Sequence, residues 1–263
     1  MSTSPVRAAD SDFAEEGGSQ AVKAQQRLRE WILAGDLPGG TRIAELALVE
    51  RLGMSRTPIR AALMRLGQEG LLEALSSGGY AVRTFSEREV ADAIELRGTL
   101  EGLAARLAAE RGVRPAVLQQ AGQCLDQIDV LLRQSVLDDD SFSAYVRFNG
   151  QFHKLLSEMA DSAVLAREIE RASSLPFASA SGFVGVQAHS PHARDMLMVA
   201  QHQHRQVLDA IAQREAGRAE ALMREHSRLA RHNLSQVMQN PQQSAMPGMQ
   251  LIRSPKTATL SQR

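Results

Sequence analysis

Apolar residues in the first third of the chain recur at helical spacing, in short blocks that glycine and proline punctuate. Val22, Leu28, Trp31 and Ile32 mark an approximate helical face from Ala21 to Ala34, and the turn Gly35-Asp-Leu-Pro-Gly-Gly40 ends it. A short helix follows over Ala44–Leu52, closed by Gly53. Ser55 is placed to cap a third helix. Pro58 falls in its first turn, where a missing N–H costs nothing. Ile59, Leu63 and Leu66 share one face at i, i+4 and i+7, while Arg56, Thr57 and Arg60 fall away from it. Gly70 stops that helix, and Leu71–Leu75 and Tyr80–Thr84 flank Ser76-Ser-Gly-Gly79 as a β-hairpin with a flexible tip.

Three helices and a hairpin in this order make a winged helix-turn-helix. The third helix buries its apolar face on the other two, so its first turn would offer Arg56, Thr57 and Arg60 to a DNA major groove. An arginine forked onto a guanine edge supplies about 1–3 kcal/mol of discrimination. Gly78 and Gly79 at the hairpin tip would let backbone approach the minor groove or a phosphate. The same pattern also serves as a plain structural corner with two arginines on a solvated face. Periodicity alone leaves these readings even.

From Ser86 to residue 239 the pattern changes to long amphipathic stretches with few β-branched runs. Ser86-Glu-Arg-Glu89 is a capping box. It opens a helix to about Arg111 that carries Val90, Ile94, Leu100, Leu103 and Leu107. Pro115 suits the first turn of a helix to about Leu137, and further helices are predicted near 140–160, 162–175, 191–213 and 217–238. The predicted fold is therefore mainly α: a winged helix over 21–84 and an all-α bundle over 86–239. Residues 1–20 read as a disordered arm. Residues 240–263, with Arg253, Lys256 and Arg263 and no acid, read as a flexible tail.

Composition narrows the class. At 263 residues the chain can bury a core without staples. Cys124 is the single cysteine, which excludes an intrachain disulfide and a cysteine-built zinc site and suits a reducing compartment. The first residues lack the apolar core of a signal peptide, and no run approaches the length that spans a bilayer, so a cytoplasmic location without membrane contact is expected. Net charge is zero, yet residues 21–84 hold nine Lys/Arg against six Asp/Glu. That is a weak hint of an anionic partner.

The run Leu52-Gly-Met-Ser-Arg-Thr-Pro-Ile-Arg-Ala-Ala-Leu63 resembles the signature of the GntR family of bacterial transcription regulators, with Glu69-Gly-Leu71 and Gly78-Gly-Tyr80 at that family's spacing. Glu95-Leu-Arg-Gly-Thr-Leu-Glu101 resembles the opening helix of the FadR-type effector domain, also called FCD; six helices would resemble its VanR-like branch. The resemblance implies a homodimer, repressor or activator, with each winged helix on a half-site of a short palindrome in double-stranded DNA. It assigns DNA contacts to Arg56, Thr57, Arg60 and the wing glycines Gly78 or Gly79. The family usually places an Arg where this chain has Leu46; Arg42 and Arg51 are the candidate replacements.

The histidines are the other candidate chemistry. His204 and His226 lie on successive helices broken near Glu215–Arg218, so antiparallel packing would bring them together. With His153, which shares a helix face with Asn149 four residues before it, three neutral imidazoles converging in a bundle suit zinc, nickel or a similar divalent ion. Seven histidines at ordinary structural positions are the competing reading. The metal-binding kind of FCD domain, by resemblance, carries Asp-x-x-x-His and one His on each of two later helices. Asn149, His153, His204 and His226 match those places, with Asn149 replacing the carboxylate. A metal held without that carboxylate keeps its full charge and favours an anionic effector, a small organic acid. Arg97 would pair with Glu101 four residues on, or meet the effector's carboxylate. His202, His189, His192 and His232 are expected to be structural or exposed. A metal-dependent enzyme with an appended DNA-binding module is the alternative function, although no nucleophile–base pair or H-E-x-x-H motif supports it. An architectural DNA-binding protein without effector is a third.

Overall fold

The computed structural model describes residues 9–134, 137–174, 177–181, 193–239 and 248–253. They fall into two compact units, the first holding residues 9–85 with 248–253 and the second residues 86–239.

In the first unit, helices α1 (Ala9–Ala34), α2 (Glu45–Leu52) and α3 (Arg56–Gln68) precede a hairpin of β1 (Leu72–Ala74) and β2 (Tyr80–Val82). The hairpin is antiparallel, pairing Leu72 with Val82 and Ala74 with Tyr80, and Arg42 bridges Ala81 on its free side. Gly53 ends α2 in the left-handed conformation that glycine adopts without strain (φ 63°). Leu28 and Ile32 of α1 are buried with Ile59, Leu63 and Leu66 of α3. The α1 face differs from the expected one. Ala21 and Ala24 are buried and Val22 is exposed, because the small alanines stand where α1 runs against α3.

Both expected tails need correction in part. The helix predicted from Ala21 begins at Ala9, so the second half of the presumed arm is helical; residues 1–8 lie outside the described residues. In the presumed C-terminal tail, residues 248–253 belong to the first unit. Gly248 N donates to Leu33 O at 2.7 Å, and Gln250 Nε2 donates to Ile32 O and Leu33 O at 3.0 and 3.2 Å. These donors satisfy Leu33 O and add to the Gly35 N–H already on Ile32 O, carbonyls in the last turn of α1, and Leu251 is buried. Residues 240–247 and 254–263 lie outside the described residues.

The second unit contains α4 (Glu87–Arg111), α5 (Pro115–Leu132), α6 (Asp139–Met159), α7 (Ala163–Ser173), α8 (Ala193–Ala212) and α9 (Ala216–Gln239). The capping box at Ser86 and Glu89 is formed and Pro115 opens α5, as the pattern predicts. The core gathers Leu125 and Ile128, Phe152 and Leu156, Val207 and Ile211, and Met223 around the alanines of α4. Leu100, Leu103 and Leu107 are only partly buried, against Leu165 and Ile169 of α7. Helix α4 is enclosed by α6, α7, α8 and α9, so its tightest contacts use small residues. No described helix is long and apolar enough to cross a membrane.

Two glycines set the closest of these approaches. A Cβ on Gly98 would lie 2.0 Å from Ser227 Oγ and 2.4 Å from its Cβ, and one on Gly102 would lie 2.6 Å from Arg224 Cγ. Gly98→Val should therefore destabilise the protein by about 1–3 kcal/mol in denaturant unfolding, through overpacking between α4 and α9. Gly150, where an added Cβ meets nothing within 4 Å, is the control: Gly150→Ala should be neutral or stabilise by up to about 1 kcal/mol.

Candidate metal centre and nucleic-acid interface

Helix α3 divides cleanly by face. Pro58, Ile59, Ala62, Leu63 and Leu66 are buried, while Arg56, Thr57 and Arg60 are exposed. Ser55 occupies the N-cap position but makes no side-chain cap bond, so the first-turn N–H groups are left to other acceptors. Arg60 Nε lies 2.9 Å from Glu45 Oε2, an exposed pair of small energy. Gly78 and Gly79 have φ of 85° and 84° at the hairpin tip, and Arg42 donates to Gly78 O at 3.2 Å. Leu46 is exposed at the start of α2. Of its two candidate replacements, Arg51 is stacked 3.7 Å over Trp31, which leaves Arg42 the one beside the wing.

In the second unit, α6, α8 and α9 bring His153, His204 and His226 together, all buried, with one ring nitrogen from each within 4.8 Å of the others. The hydrogen bonds on the outer side of each ring decide which nitrogen faces inward. Gln201 Nε2 donates to Leu125 O at 2.9 Å and Asp129 Oδ1 at 2.7 Å, which turns its amide oxygen toward His204 Nδ1 at 3.4 Å. Gln203 Oε1 lies 3.1 Å from His226 Nδ1, and Glu101 Oε1 lies 2.9 Å from His153 Nδ1. All three outer partners are oxygen acceptors, so each Nδ1 carries the proton. In a neutral ring each Nε2 then presents a lone pair.

His204 Nε2 and His226 Nε2 face one another at 3.1 Å. Two lone pairs at that separation repel unless a cation lies between them. Two imidazole nitrogens bound at about 2.0–2.1 Å to one ion, at ordinary coordination angles, stand roughly 2.8–3.4 Å apart. His153 Nε2 is buried with no hydrogen-bond partner. The donor set thus fits a divalent ion: three Nε2 atoms inward and each Nδ1 anchored outward, the usual arrangement for ligating histidines. The third nitrogen stands further off and would reach a shared ion by side-chain adjustment.

A cavity of about 150 Å³ adjoins this cluster, lined among others by Arg97, Tyr145, Asn149, Leu197, His226 and Asn233. Asn149 is buried one turn before His153; its amide nitrogen donates to Ser181 Oγ at 2.9 Å and Ala180 O at 3.3 Å. Arg97 is buried and bonded to Glu101 Oε2 at 2.6 Å, as the i, i+4 spacing suggested, and its Nε has no partner. His202 and His232 are exposed; His189 and His192 lie outside the described residues. Sequence reasoning missed Glu101 as a partner of His153, and Gln201 and Gln203 entirely. Gln201 carried a signal, since it precedes His204 by three residues on one helix face. The cross-helix reach of Gln203 had none.

Burial, then proximity to a second imidazole, that of His153, holds His204 well below its ordinary pKa of 6.5. His226 is lowered likewise by burial, then by His204 and His153, with Glu101 opposing. Both groups stay neutral in the fold while their unfolded forms titrate near 6.5. The unfolded chain therefore binds more protons below that pH, so stability is full above about pH 6.5 and falls as pH drops toward the lowered native values. Each group adds a slope of up to about 1.4 kcal/mol per pH unit. Chelator-treated protein should lose stability to denaturant between about pH 6.5 and 5, and His204→Asn should flatten that slope. A slope unaltered by the substitution contradicts this origin.

Comparison with known proteins accords with both halves. Residues 20–82 match the family described as "Bacterial regulatory proteins, gntR family" and residues 92–229 match the FCD domain. A Paenarthrobacter nicotinovorans protein named "Probable D-xylose utilization operon transcriptional repressor" is 41% identical over 78 residues, 30% of this chain and 34% of that protein. The match thus spans about a third of that relative's length. The Escherichia coli "HTH-type transcriptional repressor RspR" is 25% identical over 76% of this chain and 82% of its own. In fold, the chain is similar to the solved structure of E. coli McbR/YncC, with a TM-score of 0.60 over 82% of this chain and 97% of that one, at 19% identity. None of these names describes an enzyme, and the metal-enzyme alternative gains no support from them. With the FCD match covering more than half its length and a gntR match before it, the chain belongs to the FCD-containing GntR family of bacterial regulatory proteins.

Proposed function

We propose that this chain is a cytoplasmic, ligand-responsive transcription regulator that binds a DNA palindrome as a homodimer and responds to a small organic acid beside a bound divalent metal. The observation that carries the DNA reading is the two-faced α3, its apolar side wholly buried and Arg56, Thr57 and Arg60 exposed. Arg56 and Arg60 would read base edges and Thr57 a phosphate, with Gly78, Gly79 and Arg42 at the wing. Arg60 leaves its exposed partner Glu45 for a guanine or phosphate that neutralises it better.

His153, His204 and His226 would hold the metal, zinc or nickel by donor type, with the Asn149 amide oxygen as a weak fourth ligand. The bound ion would supply a positive centre for an anion. Three neutral imidazoles and a neutral amide cancel none of its charge, while Arg97 and Glu101 offset each other, so the cavity selects a carboxylate. Arg97, with an unpartnered Nε at the cavity wall, would take one oxygen of that acid. The acid would shift the population of dimer geometries that fit two half-sites and release DNA. Six described helices in the second unit favour the VanR-like branch of the domain.

Selection from a random duplex pool at ~150 mM salt should enrich a short palindrome. On that site Arg60→Ala should weaken binding by about 1–3 kcal/mol and leave zinc content unchanged. His204→Ala should abolish stoichiometric zinc and leave affinity of the acid-free protein for DNA within a few-fold. No enrichment by folded protein, or loss of both properties from either substitution, contradicts the reading.

A further inference from the structure

Glu101 is the least expected member of the site. Its side chain is 2% exposed, in the middle of α4, and each carboxylate oxygen has a different task. Oε2 accepts from Arg97 at 2.6 Å, and Oε1 lies 2.9 Å from His153 Nδ1. The buried guanidinium of Arg97, paired with it at 2.6 Å, compensates the charge of the buried carboxylate. An ionised carboxylate only accepts hydrogen bonds, so the imidazole must donate from Nδ1. The orphaned, buried His153 Nε2 then has its lone pair free to ligate.

We propose that Glu101 is a positioning residue of the metal centre: it fixes His153 in the tautomer that turns an Nε2 lone pair toward His204 and His226, and it ties that histidine to Arg97 at the cavity wall. This rests on the metal reading above. The carboxylate missing at Asn149 is thus supplied by Glu101, which holds a ligating histidine rather than the ion itself. Carboxylate partners of ligating histidines raise ligand basicity, and their removal typically weakens metal binding 10–100-fold.

The chemistry of an amide makes the proposal testable. In Glu101→Gln there is one acceptor oxygen where there were two. The buried guanidinium of Arg97 takes it, which turns the amide N–H groups toward His153 Nδ1. That nitrogen must then accept, so the imidazole proton moves to Nε2 and blocks the ligating position. Adding Arg97→Met frees the amide oxygen to accept from His153 Nδ1–H again. The double variant also contains no unpaired buried charge, so it covers the case in which the single variant does not fold.

The experiment uses full-length protein labelled with ¹⁵N-histidine and Zn²⁺ alone as probe. Imidazole ¹⁵N shifts of the chelator-treated protein report the His153 tautomer, and competition with a chromophoric chelator reports zinc affinity. Wild type should show protonated Nδ1 at His153 and bind zinc. Glu101→Gln should show protonated Nε2 and bind zinc 10–100-fold more weakly. The double variant should restore the tautomer and recover most of the affinity. If wild type binds zinc but Glu101→Gln changes neither tautomer nor affinity, the proposal is overturned and the metal reading stands. A double variant that folds but stays as weak as the single one overturns it too. Failure of wild type itself to bind zinc overturns both readings, and is told apart because it needs no substitution.

Discussion

The contact between α4 and α9 governs the second unit. Gly98 and Gly102 have no side chain, so Ser227 and Arg224 of α9 lie against the α4 backbone. That closeness places the two charged residues flanking the glycines, Arg97 and Glu101, deep in the bundle, on the helix packed against the one that carries His226. A larger residue at either glycine would lift α9, and His226 with it, away from Glu101 and His153. Burial of an ion pair is expensive, and such a pair seldom adds net stability over apolar packing. Here the same two side chains complete a hydrogen-bond network that ends at His153, so what the pair supplies is position rather than stability.

That network explains the protonation pattern. Every Nδ1 in the cluster is matched to an oxygen on an adjacent helix position or across the bundle: Gln201 for His204, Gln203 for His226, Glu101 for His153. The consequence is an electrostatic conflict at the centre, where lone pairs converge without a donor. A divalent cation bound there, as proposed above, would resolve it. Among the described residues of the first unit no comparable polar cluster is buried. Arg56, Thr57 and Arg60 are exposed, and the apolar face of α3 sets the side from which they project, with Glu45 pairing Arg60 at the surface.

How much was legible in the sequence follows from which forces act locally. The helix and hairpin order, the capping box at Ser86, Pro115 at a helix start and the burial of Ile59, Leu63 and Leu66 depend on near neighbours, so spacing revealed them. His204 and His226 could be brought together on paper because one short turn joins their helices. His153 could be placed on one helix face with Asn149 and matched to the family's pattern, but its place in the bundle follows from packing of α6 that no local signal encodes. The burial of Ala21 and Ala24 in place of Val22 was illegible for the same reason: it depends on how closely α3 approaches. So did the return of residues 248–253, whose Gln250 caps α1 from more than 200 positions away.

The most direct measurement is X-ray absorption of the purified protein loaded with one equivalent of Co²⁺ or Zn²⁺, compared with His204→Ala. The account predicts a first shell of nitrogen and oxygen at about 2.0–2.1 Å, with the outer-shell scattering of three imidazoles, absent or reduced in the variant. A protein that takes up no metal, or whose metal shows no imidazole scattering, would contradict it.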